Sequence, residues 1–179
     1  MIEDFLGAPQ IAACVVLLQR GAEEIHSARN TRRLIATGGR EEGRDYYPVV
    51  ATAHLAWLAG IFLLIPANAP VVWPIAALFL LLQPVRYWII GTPGRYWTHR
   101  IITLDEAPIV RRGHYRPVRH PNYAVTYAET FLLPLTFGAY ALAFIMTAIW
   151  IAVIHYKIVL EDCAIEARRA ADPSGNLER

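Results

Sequence analysis

The lysines and arginines of this chain, 17 in all, fall into three groups at 20–44, 86–119 and 157–179, and the stretches between those groups carry almost no charge. That pattern constrains the fold more than any single motif. A helix needs roughly twenty apolar residues to cross about 30 Å of hydrocarbon, and every backbone polar group inside a bilayer must find its partner within the chain. Apolar tracts of this length, separated by basic clusters, imply a bundle of membrane-spanning helices. Composition agrees: 55% of the residues are hydrophobic and 18% charged, against roughly 45–50% and about 25% in soluble domains.

The expected architecture is a single all-α integral-membrane domain over 1–179, with five transmembrane helices at about 5–20, 48–65, 71–90, 121–136 and 139–160 and a catalytic region over 91–170. The first tract is short, and its helix is expected to run on to Ile35 with Glu23, Glu24, Arg29, Arg32 and Arg33 on a polar face. Glu3 and Asp4 precede it where a cleaved leader would carry basic residues, so it reads as a retained span. Gly38, Gly39 and Gly43 mark a loop, and Pro84 predicts a kink in the third span. Basic loops tend to stay in the cytoplasm. Five spans with the N-terminus outside put all three basic groups, and the C-terminus, on the cytoplasmic side of a bacterial inner membrane. Cys14 and Cys163 fit neither a disulfide framework nor a metal spacing. No metal and no nucleic-acid partner are expected, whereas contact with membrane lipids is.

Residues 113–129, GHYRPVRHPNYAVTYAE, hold the densest collection of reactive side chains. Pro121 suits the first turn of a helix, where its missing N–H has no partner to lose. The N–H groups of Asn122 and Tyr123 then face Arg116 and Arg119, an arrangement suited to a carboxylate or phosphate. The alternative is that these arginines mark the cytoplasmic rim and touch lipid headgroups. Ionisable groups inside a membrane are costly and by default functional, which singles out His54 in the second span and Glu129 in the fourth. For each, the competing reading is a structural bond to a neighbouring helix. Asn122, Thr126 and Glu129 recur at helical spacing and share a face that can line a cavity. Gln83 and Arg86 either point into that cavity or, for Arg86, snorkel to the headgroups. The polar connector 91–119 is long enough to suggest a lid or binding loop, with a short extended piece at Arg100–Leu104.

The run Gly113, Tyr115, Arg116, Arg119-His-Pro-Asn-Tyr123, followed by Lys157, Glu161 and Asp162, resembles the isoprenylcysteine carboxyl methyltransferase family. Within it, the similarity points to short bacterial members associated with type III polyketide synthases, which O-methylate alkylpyrones or alkylresorcinols. Arg29-Asn30-Thr31-Arg32, Tyr47-Pro48, His54-Leu-Ala-Trp57, Gln83-Pro-Val-Arg86-Tyr-Trp88 and Trp97-Thr-His-Arg-Ile101 extend the likeness over most of the chain. The resemblance implies S-adenosylmethionine as cosubstrate, S-adenosylhomocysteine as product, and a cytoplasmic cofactor-binding cap. It assigns His120, Pro121, Tyr123 and Glu161 to the cofactor pocket.

The chemistry of the cosubstrate adds Tyr115, Arg119 and Asn122 to that pocket: the arginine and the helix start for its carboxylate, tyrosine rings for its sulfonium. A lipophilic acceptor is expected to enter from the bilayer. A phenol acceptor needs a base, for which Glu129 comes first and His54 second, and Arg119 completes the catalytic set. The family pattern near the C-terminus carries an arginine and two glutamates. Here Lys157 keeps the charge without the two-pronged geometry suited to a carboxylate, which favours a lipidic phenol or enol over a prenylcysteine carboxylate. His114 likewise replaces the common proline after Gly113. Methylation of a lipid amine and a non-enzymatic membrane binding or assembly role are the competing functions.

Overall fold

The computed structural model describes residues 5–104 and 121–171. Five α-helices occur among them, at the expected places: α1 Ala8–Ala36, α2 Tyr46–Leu64, α3 Trp73–Gly91, α4 Pro121–Leu135 and α5 Tyr140–Ala171. Three are long and apolar enough to cross a membrane, Tyr46–Leu64, Trp73–Gly91 and Tyr140–Glu161. In α1 the apolar run is interrupted by Arg20, Glu23 and Glu24, and α4 has 15 residues. Pro121 opens α4 as its ring geometry requires, and Pro84 lies inside α3.

The helical bundle agrees with the all-α expectation and carries one short two-stranded sheet beside it. Arg100–Leu104 was expected to be extended, and β2 (Ile101–Thr103) is; its partner is β1 (Arg40–Glu42), part of the stretch read as a loop. The two strands pair antiparallel with Glu41 opposite Ile102. Three-residue strands leave no alternating pattern in sequence, so only the pairing reveals them.

Helix α4 packs between α3 and α5, α1 packs on α2, and α2 on α5. The core fills the uncharged half, where Val16, Trp57, Leu58, Ile61, Phe79, Leu133 and Met146 meet. At that end the turns are joined through their backbones. The Val72 N–H donates to the Thr136 carbonyl at 2.8 Å, and Gln10 Nε2 donates to the carbonyls of Phe62 (3.0 Å) and Ile65 (2.8 Å). Gln10 Oε1 in turn accepts from the Gly7 N–H, closing the first turn of α1. Gly138, at φ 72°, makes the tight turn from α4 to α5. The outward faces carry Leu18, Leu63, Leu64, Leu80, Leu81 and Phe144, as bilayer-facing helices do, and Trp73 and Tyr140 sit exposed at the uncharged rim.

The three basic groups meet at the opposite end. Strand pairing joins the first to the second, Arg100 ion-pairs with Glu41, and Lys157 Nζ donates to the His99 carbonyl at 3.1 Å, bringing in the third. A common charged end is what the distribution of lysine and arginine predicts.

A Cβ added at Gly7 collides with the Ala67 carbonyl, a backbone group that cannot swing aside. Gly7→Ala is therefore expected to destabilise the protein by about 1–3 kcal/mol, typical of overpacking, read as a lower melting temperature in detergent with the helical spectrum unchanged.

Candidate active site

Four charges lie inside the helical bundle and neutralise one another. Arg20 and Glu23 come from α1, Arg86 from α3 and Glu129 from α4, with side chains between 2% and 10% exposed. Arg86 Nε and Nη2 grip the two oxygens of Glu23, each at 2.7 Å. Arg86 Nη1 reaches Glu129 Oε2 at 2.9 Å, and Arg20 Nη2 reaches the same oxygen at 2.7 Å. Glu129 Oε1 accepts from Gln83 Nε2 at 3.0 Å, and Gln83 Oε1 accepts from Gln19 Nε2 at 2.9 Å. Arg86 thus turns inward, which excludes the snorkelling alternative, and Gln83 joins it on the α4 face. Thr126 shares that face, 3.5 Å from Arg86 Nη1.

These neighbours are not those expected of Glu129 as a base. They match the competing reading, a structural bond to neighbouring helices: Oε2 accepts from both arginines and Oε1 from Gln83. The partners went unrecognised because the sequence reading put Glu23 on a polar face. The available signal was the spacing of Arg20 and Glu23, opposite charges three residues apart at the inner edge of an apolar run.

A second cluster lies toward the charged end, between α2, α4 and α5. The Tyr123 hydroxyl donates to Glu161 Oε1 at 2.7 Å, so the entrance of α4 and the acidic tail of α5 touch. Lys157 Nζ sits 3.6 Å from the same Glu161 oxygen, 5.2 Å from the Tyr123 ring centroid and 5.9 Å from that of Tyr46. A buried ammonium thus rests against two aromatic faces, a carboxylate and the His99 carbonyl. Among the described residues, the buried Tyr46 hydroxyl and Asn122 Oδ1 have no hydrogen-bond partner. Tyr46 was missed by the sequence reading; an aromatic residue at the start of a span is ordinary, and nothing in its local pattern marks it.

His54 is not hydrogen-bonded to a neighbouring helix among the described residues; its ring meets Trp150 edge-on at 4.5 Å and Trp57 at 6.2 Å. Trp150 in turn packs in the cluster that contains Tyr123 and Tyr127, which connects His54 to the α4 entrance through one layer of rings. Of the predicted site residues, Tyr123 and Glu161 come together and Pro121 and Asn122 adjoin them. Tyr115, Arg119 and His120 lie outside the described residues.

The start of the connector is tied to α1. Asn30 Nδ2 donates to the carbonyls of Gly94 (3.1 Å) and Trp97 (2.9 Å), the His99 N–H donates to Ser27 Oγ at 2.8 Å, and His99 Nδ1 lies 2.8 Å from Glu24. Partial burial pushes the Glu24 carboxyl up, but hydrogen bonds from His99 and Tyr47 and the nearby charges of His99 and Arg100 outweigh it and hold it below the ordinary carboxylate range.

A model of the isoprenylcysteine carboxyl methyltransferase (ICMT) family matches residues 75–167, which contain both α4 and the Lys157–Glu161 turn of α5. The chain belongs to the isoprenylcysteine carboxyl methyltransferase family. It is also 30% identical to "Uncharacterized protein YpbQ" of Bacillus subtilis (strain 168) over 156 residues, 85% of this chain and 93% of that protein. No solved structure matches it. Family membership and the three apolar helices make this an integral-membrane protein of a methyltransferase family. Its family-matched segment brings Tyr123 and Glu161 into contact.

A depressed carboxyl stabilises the folded arrangement above its unfolded pKa, and that contribution fades as pH falls through the folded value. The tie at His99 is therefore expected to loosen on the acid side of the ordinary carboxylate range. Hydrogen exchange at 97–103, corrected for intrinsic rate, should show protection falling there, and Glu24→Gln should remove the dependence on acid.

Proposed function

We propose that this protein is an integral-membrane O-methyltransferase that takes its methyl group from S-adenosylmethionine and delivers it to a hydroxyl of a lipophilic acceptor, such as an alkylpyrone or alkylresorcinol, releasing S-adenosylhomocysteine. In this reading five helices span a bacterial inner membrane, with the N-terminus outside and the charged end, the cofactor cap and the C-terminus in the cytoplasm. The observation that carries it is the contact between Tyr123 and Glu161, which joins the two parts of the family-matched segment at the basic end.

The residues present suit such a cosubstrate. Two tyrosine faces and a carboxylate already surround one buried cation, the Lys157 ammonium, and are equally suited to a sulfonium or an α-amino group. The unpartnered Tyr46 hydroxyl and Asn122 Oδ1 are polar groups a bound nucleoside can satisfy. Tyr115, Arg119, His120 and Pro121 complete the pocket, Arg119 pairing with the amino acid carboxylate. When bound, S-adenosylmethionine supplies a methyl group on a positively charged sulfur. The protein's own part is to align the acceptor and exclude water.

Two observations favour a phenol or enol over a carboxylate acceptor. Lys157 donates to the His99 carbonyl and leans on Glu161, so its charge is turned toward the protein. His54 packs against Trp57 and Trp150, and in this reading its imidazole nitrogen receives the hydroxyl proton. A groove of about 460 Å³ between α2 and α5, lined by Val49, Thr52, Ala53, Ala56, Ile149 and Val153, is apolar enough for an acceptor's tail.

The reading is tested by incubating the purified protein with methyl-labelled S-adenosylmethionine and, in separate reactions, an alkylresorcinol, a prenylcysteine and an amine-headed phospholipid. The expected product is a labelled ether on the alkylresorcinol. A labelled ester or amine moves the acceptor class, and no labelled product from any of them removes the proposal. In calorimetric titration, Tyr123→Phe is expected to weaken cosubstrate binding roughly 10- to 150-fold, the loss of about 1.5–3 kcal/mol for a hydrogen bond to a charged group, and Glu161→Ala to weaken it further. His54→Ala should leave that affinity within about twofold while slowing turnover on a phenol roughly 100-fold or more.

A further inference from the structure

We infer that Glu129 is a positioning residue, the hub of a charge-neutral lock that sets the α4 entrance against α1 and α3, and that it does not take the acceptor's proton. The inference concerns the same site as the methyltransferase reading and rests on it wherever activity is the readout.

Three observations converge. The first is occupancy: Oε2 of Glu129 accepts from both Arg20 and Arg86, Oε1 accepts from Gln83, and the residue is 1% exposed. Oε2 accepts two bonds and Oε1 one, so three protein donors from α1 and α3 fix the direction of the carboxylate. The second is charge balance. Two arginines face two glutamates, so the cluster has no net charge to offer a ligand and no described anion or cation left over within it. The third is continuity. Arg86 also reaches Thr126, whose hydroxyl donates to the Asn122 carbonyl at 3.0 Å, and Asn122 adjoins Tyr123, which holds Glu161. The tie thus runs from α1 and α3, through α4, into the first turn of α4 where the proposed cosubstrate pocket begins.

Ion pairs in a low-dielectric interior are poor sources of net stability, because desolvation offsets their attraction. Their attested use is to specify one registry: an apolar helix face can slide or rotate with little penalty, whereas a misplaced buried charge cannot be tolerated. Here the registry being specified is the height and rotation of α4. The acceptor's proton then goes to another group, and His54, in contact with Trp57 and Trp150, is the group this reading assigns it to.

A base and a lock respond oppositely to removal of the charge together with its partner. Glu129→Met, Arg86→Met and the double variant Glu129→Met/Arg86→Met are compared with the unaltered protein for melting temperature in detergent, methyl transfer and its pH profile. Each single change leaves a buried charge unpaired and is expected to lower activity at least 100-fold or to prevent accumulation of folded protein. The double variant leaves Arg20 and Glu23 as a neutral pair on one helix and is expected to melt above both single variants. It should recover at least one tenth of the original activity, with the same pH profile.

A double variant that folds yet stays as inactive as Glu129→Met, or recovers only at raised pH, overturns the inference, and so does one no more stable than the single variants. If the unaltered protein methylates none of the lipids, the methyltransferase reading fails by itself. The melting temperatures of the four proteins then still decide whether Glu129 and Arg86 act as one neutral unit.

Discussion

A charge within a membrane bundle must meet its opposite, and much of this molecule is arranged around that requirement. Arg86 holds Glu23 with two nitrogens and Glu129 with a third, so a single guanidinium joins α1, α3 and α4. Had any one of the four charges been absent, another would be stranded in a low dielectric, at about 3–5 kcal/mol by the measured penalties for broken buried pairs. The apolar core of Trp57, Ile61, Phe79 and Leu133 supplies adhesion but little direction. The charged cluster supplies the direction.

On that frame the two ends of the bundle diverge in character. The uncharged end is closed by backbone bonds between turns, such as Val72 to Thr136, and by Gln10 reaching two carbonyls at the end of α2. The charged end is closed by side chains and a two-stranded sheet, with Lys157, Asn30 and the His99–Glu24 pair fastening the connector to the helices. The methyltransferase-family segment contributes Tyr123 and Glu161 to this second end, where groups of both signs lie close together.

The helices could be read from the sequence because their cause is written locally. Apolar length predicts where α2, α3 and the apolar part of α5 lie, and Pro121 fixes the start of α4. The meeting of Tyr123 with Glu161 was expected through the family resemblance, not through any local pattern. What escaped the sequence depends on partners far along the chain. Glu23 read only as one residue of a polar face, with nothing to point to Arg86 of another helix, and the partners of Glu129 on α1 and α3 could not be named from its own helix. Strand β1 escaped for the same reason, since Arg40–Glu42 has no pattern of its own and is extended because Ile101–Thr103 lies alongside. The placements of Tyr115, Arg119 and His120 fall outside the described residues.

The unequal spacing of the four charges along the chain has a consequence for how each is neutralised. Arg20 and Glu23 are three residues apart on one helix and can cancel each other as soon as that helix forms. Arg86 and Glu129 come much later in the chain and on separate helices, so each finds its partners only on another helix: Arg86 on Glu23 and Glu129, and Glu129 on Arg20 and Arg86. Charge neutrality is thus local to the first helix, whereas for α3 and α4 it is reached only when helices distant in sequence come together.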